Sequence, residues 1–315
     1  MSRTARAARA QFLAWFDGRA HGAGDGDPRR IDWLRQVPFV GIHAGCLALP
    51  WVGTSAAAVA AAVLLYAMRM FAITGFYHRY FSHGAFRAGR AVQFVFAVLG
   101  ASAAQRGPLW WASHHRHHHV HADEPEDAHS ALRHGFAWSH VGWFMVRGNF
   151  APRDHLVRSL ARYPELRFLD RWDALVPLLL VALLWAAGAL AERYAPALGT
   201  SGAQMVLWGF CVSTVALYHA TFSINSIAHR FGRRRYATRD ASRNNAWLAL
   251  LTFGEGWHNN HHHYPASARQ GFFWWEVDIT YYGLRLLAAL RLIHGLKPVP
   301  AAVRDAARLP LKDRA

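Results

Sequence analysis

Long runs without charged residues constrain this chain of 315 residues more than any other feature. No Asp, Glu, Lys or Arg occurs between residues 36 and 68, within 174–191 or within 194–228. A bilayer core requires roughly 20 apolar residues per helix, and Pro50 and Gly53 divide the first run into two helices. The alternative is that the runs are buried core helices of a soluble protein. We predict four membrane spans in two hairpins, at about 38–51, 54–76, 174–191 and 203–224.

The distribution of charge predicts how those spans are oriented. The chain has 35 Lys and Arg against 19 Asp and Glu, but only 17% of its residues are charged, below the roughly 25% of soluble proteins. Residues 1–36, 77–173 and 229–315 are rich in Arg, whereas the turns at 50–54 and 192–202 carry little charge. Because positive residues stay in the cytoplasm, both termini and the central segment are predicted inside. The net charge of +16 then favours contact with a membrane surface over nucleic acid.

These patterns together predict an all-α membrane protein with a cytosolic helical cap. A cytosolic N-terminal segment, 1–36, would precede a membrane domain at 37–299, and 300–315 would form a C-terminal tail. The cap would consist of 77–173 and 225–299. No short apolar stretch with a small-residue cleavage site occurs near the N-terminus, so no secretory signal is expected.

Histidine is frequent, with 21 residues, and it is concentrated in four groups on the side predicted to be cytoplasmic. Residues at i, i+3 and i+4 share a helix face, so each H-x-x-H-H pattern is predicted to bring three imidazoles to one spot. An Asn and a His four residues apart also converge. Two His five residues apart do not share one face of an ideal helix. One of them is therefore expected where the helix unwinds as it leaves the membrane. The ten side chains are His78 and His83; His115, His118 and His119; Asn225 and His229; and His258, His261 and His262.

These side chains indicate a site for two metal ions. Neutral imidazole is a common ligand of iron, copper, nickel and zinc, and ten ligands are too many for one ion. Two ions with four or five ligands each are therefore predicted. The alternative is a solvated tract of metal-scavenging His. Candidate carboxylates for orienting the ligand rings are Asp123, Glu124, Glu126, Asp127 and Glu255. Histidines expected to be structural or exposed are His21, His43, His155, His219 and His294.

Five segments of the chain resemble the integral-membrane fatty acyl desaturases of the stearoyl-CoA Δ9 type, and they follow one another in the order found in that family. The segments are TGFYHRYFSH (74–83), WWASHHRHHHVHADEPEDAHS (110–130), GFAWSHVGW (135–143), NSIAHRFG (225–232) and SRNN…GEGWHNNHH (242–262). The resemblance implies that the ten side chains bind two Fe(II) ions, with Asn225 reaching its ion through water. It assigns no catalytic residue beyond these ligands. Imidazole sites also suit zinc, so zinc is expected to replace iron in purified protein.

The resemblance also implies an activity. With O2 as co-substrate and two electrons, one hydrogen is removed from each of two adjacent carbons of a saturated fatty acyl chain, which gives a cis double bond and water. The implied substrate is an acyl-CoA desaturated at Δ9, or an acyl-lipid, in a narrow tunnel with Gln105, Trp111 and Trp257 as predicted contacts. The expected electron donor is a separate ferredoxin, flavodoxin or cytochrome b5-like protein with its reductase. The expected location is the bacterial inner membrane, with the active site in the cytoplasm.

Two other functions stay open on the sequence. A related diiron fatty-acid hydroxylase or alkane oxygenase would use the same ligands and insert OH instead of removing a second hydrogen. A His-rich metal transporter or storage protein would need polar groups along a path through the membrane. No acidic residue lies within any predicted span, and His43 and His219 are the only candidates there, so transport is the weaker alternative.

Overall fold

The computed structural model describes residues 16–19, 27–306 and 308–309. Within this part the chain is helical apart from loops and one antiparallel pair of strands, β1 (Arg87–Ala88) with β2 (Ile293–His294). The α-helices are α1 Trp33–Cys46, α2 Leu49–Val52, α3 Ala56–Phe71, α4 Arg90–Ala101, α5 Pro108–His121, α6 Ala131–His134, α7 Trp143–Met145, α8 Pro164–Arg171, α9 Leu175–Tyr194, α10 Gly202–Val206, α11 Ser213–Ser226, α12 Ala246–Leu251, α13 His258–His263, α14 Ile279–Ala289 and α15 Ala301–Asp305. Three π-helical segments are π1 Ala72–Ser82, π2 Trp138–Gly142 and π3 Leu207–Val212. Short 3₁₀ turns are Arg147–Asn149, Asp154–Leu156 and Pro196–Leu198.

Three continuous helices in the described part are long and apolar enough to cross a membrane. They are α3 with π1 (27 residues, mean hydropathy 2.0), α9 (20 residues, 2.1) and α10–π3–α11 (25 residues, 1.4). At 1.5 Å per residue, 20 residues reach about 30 Å, the thickness of a bilayer core. The spans predicted at 54–76 and 174–191 begin one or two residues before the corresponding helices, and the span predicted at 203–224 falls within the third helix.

The span predicted at 38–51 is divided in the structure. Helix α1 begins at Trp33 and has 14 residues, and α2 has only four. The division falls before Pro50, which lies in the first turn of α2, because a proline inside a helix removes a backbone hydrogen bond and clashes with the preceding turn. Neither helix is long enough to cross a bilayer alone, so the four-span prediction is not confirmed.

Close packing and one buried cation hold the long helices together. A Cβ on Gly188 of α9 would lie 2.4 Å from the Ser201 carbonyl oxygen before α10, so small residues allow this close helix approach. Arg69 of α3 is fully buried. Its guanidinium donates to Thr214 Oγ1 at 2.8 Å and to the Ser213 hydroxyl, both on α11. These bonds satisfy a charge that would otherwise be costly inside a membrane helix.

The remaining helices pack around the C-terminal half of α3–π1. Phe76 of π1 stacks on Phe96 of α4 with ring centroids 3.8 Å apart, and Tyr77 donates its hydroxyl proton to the Ala97 carbonyl oxygen at 2.9 Å. Leu284 of α14 is buried on the other side of π1, beside Gly75. These contacts surround the end of the long helix at the point where the first histidines occur.

Candidate metal centre

The widened helix π1 sets the direction of the first two histidines. His78 lies within π1, and His83 is the first residue after it. The backbone N–H of His83 donates to the carbonyl oxygen of His78 at 3.2 Å, a bond over five residues, which is the repeat of a π-helix. His83 lies at the helix end, as predicted, while the wider turn supplies the five-residue spacing. Their ring centroids are 4.9 Å apart.

Nine histidines assemble into two adjacent groups. Within each group the ligand nitrogens lie within 4.8 Å of one another. The first group is His78, His83, His115, His119 and His261, and the second is His118, His229, His258 and His262. The prediction that each H-x-x-H-H trio points to one spot is wrong, because α5 and α13 each contribute to both groups. Consecutive residues of a helix point about 100° apart. His118 and His119 therefore point to different groups, and so do His261 and His262.

The imidazoles approach one another in a way that suits a cation. Four Nε2–Nε2 distances join rings of the same group: His78–His261 3.0 Å, His83–His115 2.8 Å, His119–His261 2.9 Å and His229–His258 3.0 Å. His262 Nε2 is buried without a hydrogen-bond partner. Converging imidazole nitrogens are the donor set that a transition-metal ion requires, so the residues present fit a pair of metal ions.

Carboxylates bind the opposite nitrogen of four of these rings. Asp127 lies 3.1 Å from His118 Nδ1, Asp123 lies 3.2 Å from His229 Nδ1, Asp240 lies 2.9 Å from His262 Nδ1, and Glu255 pairs with His78 Nδ1. A carboxylate on Nδ1 holds the proton there and leaves Nε2 for a metal. Asp123, Asp127 and Glu255 thus take the orienting position considered for them. Glu124 instead contacts His121, and Glu126 belongs to an exposed cluster with those two residues.

Asp240 was missed by the sequence analysis. It is the only acidic residue between Glu192 and Glu255, and that isolation was the available signal. Burial opposes ionisation of Asp240, but the His262 imidazole and the hydrogen bonds from Ser242 lower the pKa of this carboxyl far below its usual range. The pKa of Asp127 is also far below its usual range, because the contacts with His118 and His129 outweigh the opposing effect of burial. Both groups are therefore ionised at neutral pH.

An apolar cavity of about 730 Å³ reaches the first group. Trp111, Gln105 and Asn225 line it together with His115. Trp111 stacks on His115 with centroids 5.1 Å apart. Gln105 donates its amide to Thr221 Oγ1 at 2.8 Å, and Asn225 lies one helical turn before His229. A long chain that occupied this cavity would pass beside His115 of the first group.

Trp257 is not among the described residues that line this cavity. It precedes α13 and lines a separate groove of about 830 Å³ with Arg233, Trp247 and Trp275. Its indole Nε1 donates to the Val277 carbonyl oxygen at 2.8 Å. The structure therefore does not bring Trp257 to the cavity that Trp111 and Gln105 line, and the substrate contact at Trp257 stays a prediction.

His129 lines the cavity, and no role was predicted for it. Its ring centroid lies 4.3 Å from that of His118 and 4.8 Å from that of Trp143. Burial lowers the pKa of His129 to about 3, so the ring is neutral. A loop separates His129 from the H-x-x-H-H pattern and returns the chain to His118. Helical spacing therefore does not predict this contact.

The isolated histidines that the structure describes are either hydrogen-bonded to other side chains or exposed. His43 and His219 lie 3.2 Å apart, and His219 lies 2.9 Å from His140, in a hydrogen-bonded series that ends at Ser226. His155 and His294 are exposed, as expected. The prediction for His21 lies outside the described residues.

Comparison with known proteins agrees with this site. A family profile described as "Fatty acid desaturase" matches residues 54–294. The sn-1 stearoyl-lipid 9-desaturase of Anabaena variabilis is 36% identical over 271 residues, which cover 85% of this chain and 94% of the relative. The sn-2 palmitoyl-lipid 9-desaturase of Nostoc sp. (strain 36) is 35% identical and covers 85% of this chain and 90% of the relative. The icosanoyl-CoA 5-desaturase of Limnanthes douglasii is 36% identical, with 86% and 73% covered.

Long apolar helices that end in paired histidine groups define an integral membrane protein with a metal cofactor. The chain belongs to the fatty acid desaturase family. It is an oxidoreductase whose substrate is a fatty acyl chain.

Proposed function

We propose that this enzyme introduces a cis double bond into a saturated fatty acyl chain at a diiron centre, with O2 as the oxidant. The observation that carries the proposal is the division of nine imidazoles into adjacent groups of five and four beside an apolar cavity. The first group would hold one iron, and the second group would hold the other, with Asn225 contributing through water. An all-histidine donor set differs from soluble diiron bundles, which use Glu and Glu-x-x-His.

The chemistry explains why a metal pair is required. An unactivated methylene has no acidic proton and no leaving group, so acid–base groups alone do not remove its hydrogens. When bound, the iron pair supplies the oxidising power, and the balanced reaction combines –CH2–CH2– with O2, two electrons and two protons to give –CH=CH– and two waters. The protein's part is to position the chain and exclude water.

Particular residues fulfil that part. Trp111, stacked on His115, forms the wall against which an acyl chain would lie, and the buried aromatic lining keeps water from the reacting carbons. Asp123, Asp127, Asp240 and Glu255 hold the protons of four imidazoles on Nδ1. Arg79 is buried between Glu255 and Asp278, with distances of 3.0 Å to both carboxylates, and it fixes the carboxylate that contacts His78.

We further propose that desaturation occurs at Δ9, of an acyl-CoA or an acyl-lipid. The first two relatives named above are 9-desaturases of acyl-lipids, whereas the third is a 5-desaturase of an acyl-CoA. Two electrons would come from a separate ferredoxin, flavodoxin or cytochrome b5-like protein with its reductase. The α1–α2 pair would serve as the fourth crossing, with both termini and the metal centre on the cytoplasmic side of a bacterial inner membrane.

Expression in a host that lacks unsaturated fatty acids tests the reaction. We expect cis-monounsaturated chains in the host lipids, with the double bond at Δ9 when its position is determined by mass spectrometry. Hydroxylated chains without alkenes would contradict desaturation and favour the related hydroxylase. Iron should be supplied during expression, because imidazole sites also accept zinc.

A further inference from the structure

A surface segment, residues 154–167, is attached by Arg116 to the elements that carry the first histidine group. Arg116 follows a ligand histidine on α5, and its guanidinium donates to the Leu156 carbonyl oxygen at 2.6 Å. The same guanidinium donates to the Ser82 carbonyl oxygen at 2.9 Å, immediately before His83. One side chain therefore connects this surface segment with the backbone that carries two histidines of the first group.

The inner side of this segment is packed, and its outer side is cationic. Val157 and Leu166 are fully buried in the main hydrophobic core. Arg158, Arg162 and Arg167 are exposed, and we call these three side chains the surface arginines. The first two are four positions apart in a turn with helical hydrogen bonding, so they project from the same side.

The acidic residues of the segment are already paired with arginines from elsewhere in the chain. Glu165 accepts two hydrogen bonds from Arg90, at 2.7 and 2.8 Å, and Asp154 lies 3.2 Å from Arg19. Within the described part of the chain, the surface arginines have no ion-pair partner. Their positive charge is therefore available to an anionic partner.

The proposed reaction requires a partner that meets this description. Each double bond takes two electrons from outside the enzyme, and electron-transfer partners form small, transient interfaces. Complementary charge speeds such encounters and sets their orientation. An anionic membrane surface would also attract arginines, but the connection through Arg116 to two ligand histidines favours a redox protein.

We propose that the surface arginines form the docking site of an acidic one-electron carrier protein, and that Arg116 connects this site with the first histidine group. The inference rests on the proposed desaturation and names the charge of its redox partner and the place where that partner binds. For each double bond, two reduced carriers dock in turn, and each gives one electron and leaves oxidised. These two electrons complete the balance given above.

Binding of a carrier tests the site without turnover. The full-length enzyme in bilayer discs of phosphatidylcholine is titrated with an acidic plant-type [2Fe–2S] ferredoxin. We expect saturable binding that weakens as salt is added. The triple variant Arg158→Glu/Arg162→Glu/Arg167→Glu should raise the Kd about tenfold and reduce its dependence on salt. Absence of binding to the unchanged enzyme would overturn the docking site.

Arg285→Glu is the matched control for charge reversal. Arg285 lies on α14, is also exposed and has no ion-pair partner among the described residues. This variant should leave the Kd unchanged. Equal Kd values for the control and the triple variant would contradict the docking site. A defect of the triple variant that appears only in discs containing phosphatidylglycerol would assign the surface arginines to the membrane and likewise overturn it.

Turnover with two electron donors separates the docking site from the reaction. Reduced methyl viologen is a small cation that needs no docking surface, so it should support equal rates of double-bond formation in the unchanged enzyme and the triple variant. With ferredoxin, the KM of the variant should rise about tenfold. An unchanged KM would refute docking and leave desaturation intact, whereas no double bonds from the unchanged enzyme with either donor would refute desaturation.

Milder variants decide the question if the triple variant does not fold. Arg158→Gln and Arg162→Gln each remove one charge from the exposed side of the segment. Each should raise the KM for ferredoxin and keep the rate with methyl viologen. An equal loss with both donors would show that these arginines support the structure of the enzyme and not the docking of a carrier.

Discussion

Individual carboxylates decide which nitrogen of a ligand imidazole is available to a metal. Asp240 does this for His262 through Nδ1 at 2.9 Å, and it also accepts the backbone N–H of Ser242. The carboxylate is thereby fixed on both sides, and His262 Nε2 is directed into the second group. Removing the negative charge should loosen the ring and weaken metal binding without removing a ligand.

Asp240→Asn should therefore lower metal retention and activity by about 10- to 100-fold. Iron content after dialysis against a chelator, measured beside desaturase activity, checks this. Glu124→Gln is the matched control, because Glu124 is exposed and contacts His121 at the surface. Equal iron content in both variants would contradict an orienting role for Asp240.

Removing a ligand should have a larger effect. His118→Ala and His261→Ala each delete one imidazole, from the second and the first group respectively, and both should abolish double-bond formation while membrane insertion persists. Product analysis by gas chromatography, with membrane fractionation, measures the two properties. His294→Ala removes an exposed histidine and should retain activity. Unsaturated product from either ligand variant would refute the assignment.

All nine histidines of the two groups are among the candidates that the sequence predicts, and six of them belong to H-x-x-H-H patterns. The sequence did not separate the two groups, since that depends on where α5 and α13 cross. Asp240 could not be paired with His262 either, because the two residues are 22 positions apart in the chain. Local spacing thus identifies candidate ligands, whereas their partners depend on tertiary packing.

At the scale of the elements, the packing of α4 against π1 holds the first histidine group. Gly100 of α4 faces Tyr77, the residue before His78, and a Cβ there would lie 2.1 Å from Tyr77 Cε1. Tyr77 is fully buried and donates to the Ala97 carbonyl oxygen. The ring has no free space into which it could move, so any added atom would displace π1.

Gly100→Ala should destabilise the protein by about 1–3 kcal/mol, the usual cost of overpacking a core, and should lower activity by displacing His78. Thermal unfolding in detergent, followed by an activity assay, measures both effects. Gly89→Ala, at the start of the same helix, is the control, because a Cβ there meets nothing within 4 Å. A stability of Gly100→Ala equal to that of the control would show that π1 yields to the added methyl group.

Hydropathy located three of the long helices to within a few residues, because their apolar length is a local property. It did not reveal the division between α1 and α2, although Pro50 marked the region. The π-helical conformation of π1 was also hidden, since the same residues are compatible with an ordinary helix. Packing against α4 and α14 accompanies the wider turn.

At the scale of the whole molecule, Asp170 joins segments that are distant in sequence. Its carboxylate accepts the backbone N–H of Trp110 at 2.7 Å and lies 3.5 Å from Arg19 Nη2. Burial raises the pKa of Asp170 to about 6, against the opposing hydrogen bond from Trp110. The folded state therefore binds this proton more tightly than the unfolded chain does.

The free energy of unfolding should consequently fall as pH rises from about 4 to about 6, and Asp170 should add no further pH dependence above that range. Asp170→Asn keeps an acceptor for Trp110 and removes the titration, so its stability should vary less across this window. Unfolding temperatures of the two proteins, compared between pH 4 and pH 8, measure the difference. Parallel curves would mean that Asp170 has the same proton affinity in both states.

The sharing of α5 and α13 between the two histidine groups has a consequence for assembly. Each of these helices must be correctly placed before either group is complete, and an ion seated in one group fixes the helices that carry ligands of the other. Metal binding and ordering of the ligands are thermodynamically coupled. Metal insertion should therefore be cooperative: enzyme with both ions and enzyme with none should coexist, and enzyme with one ion should be scarce.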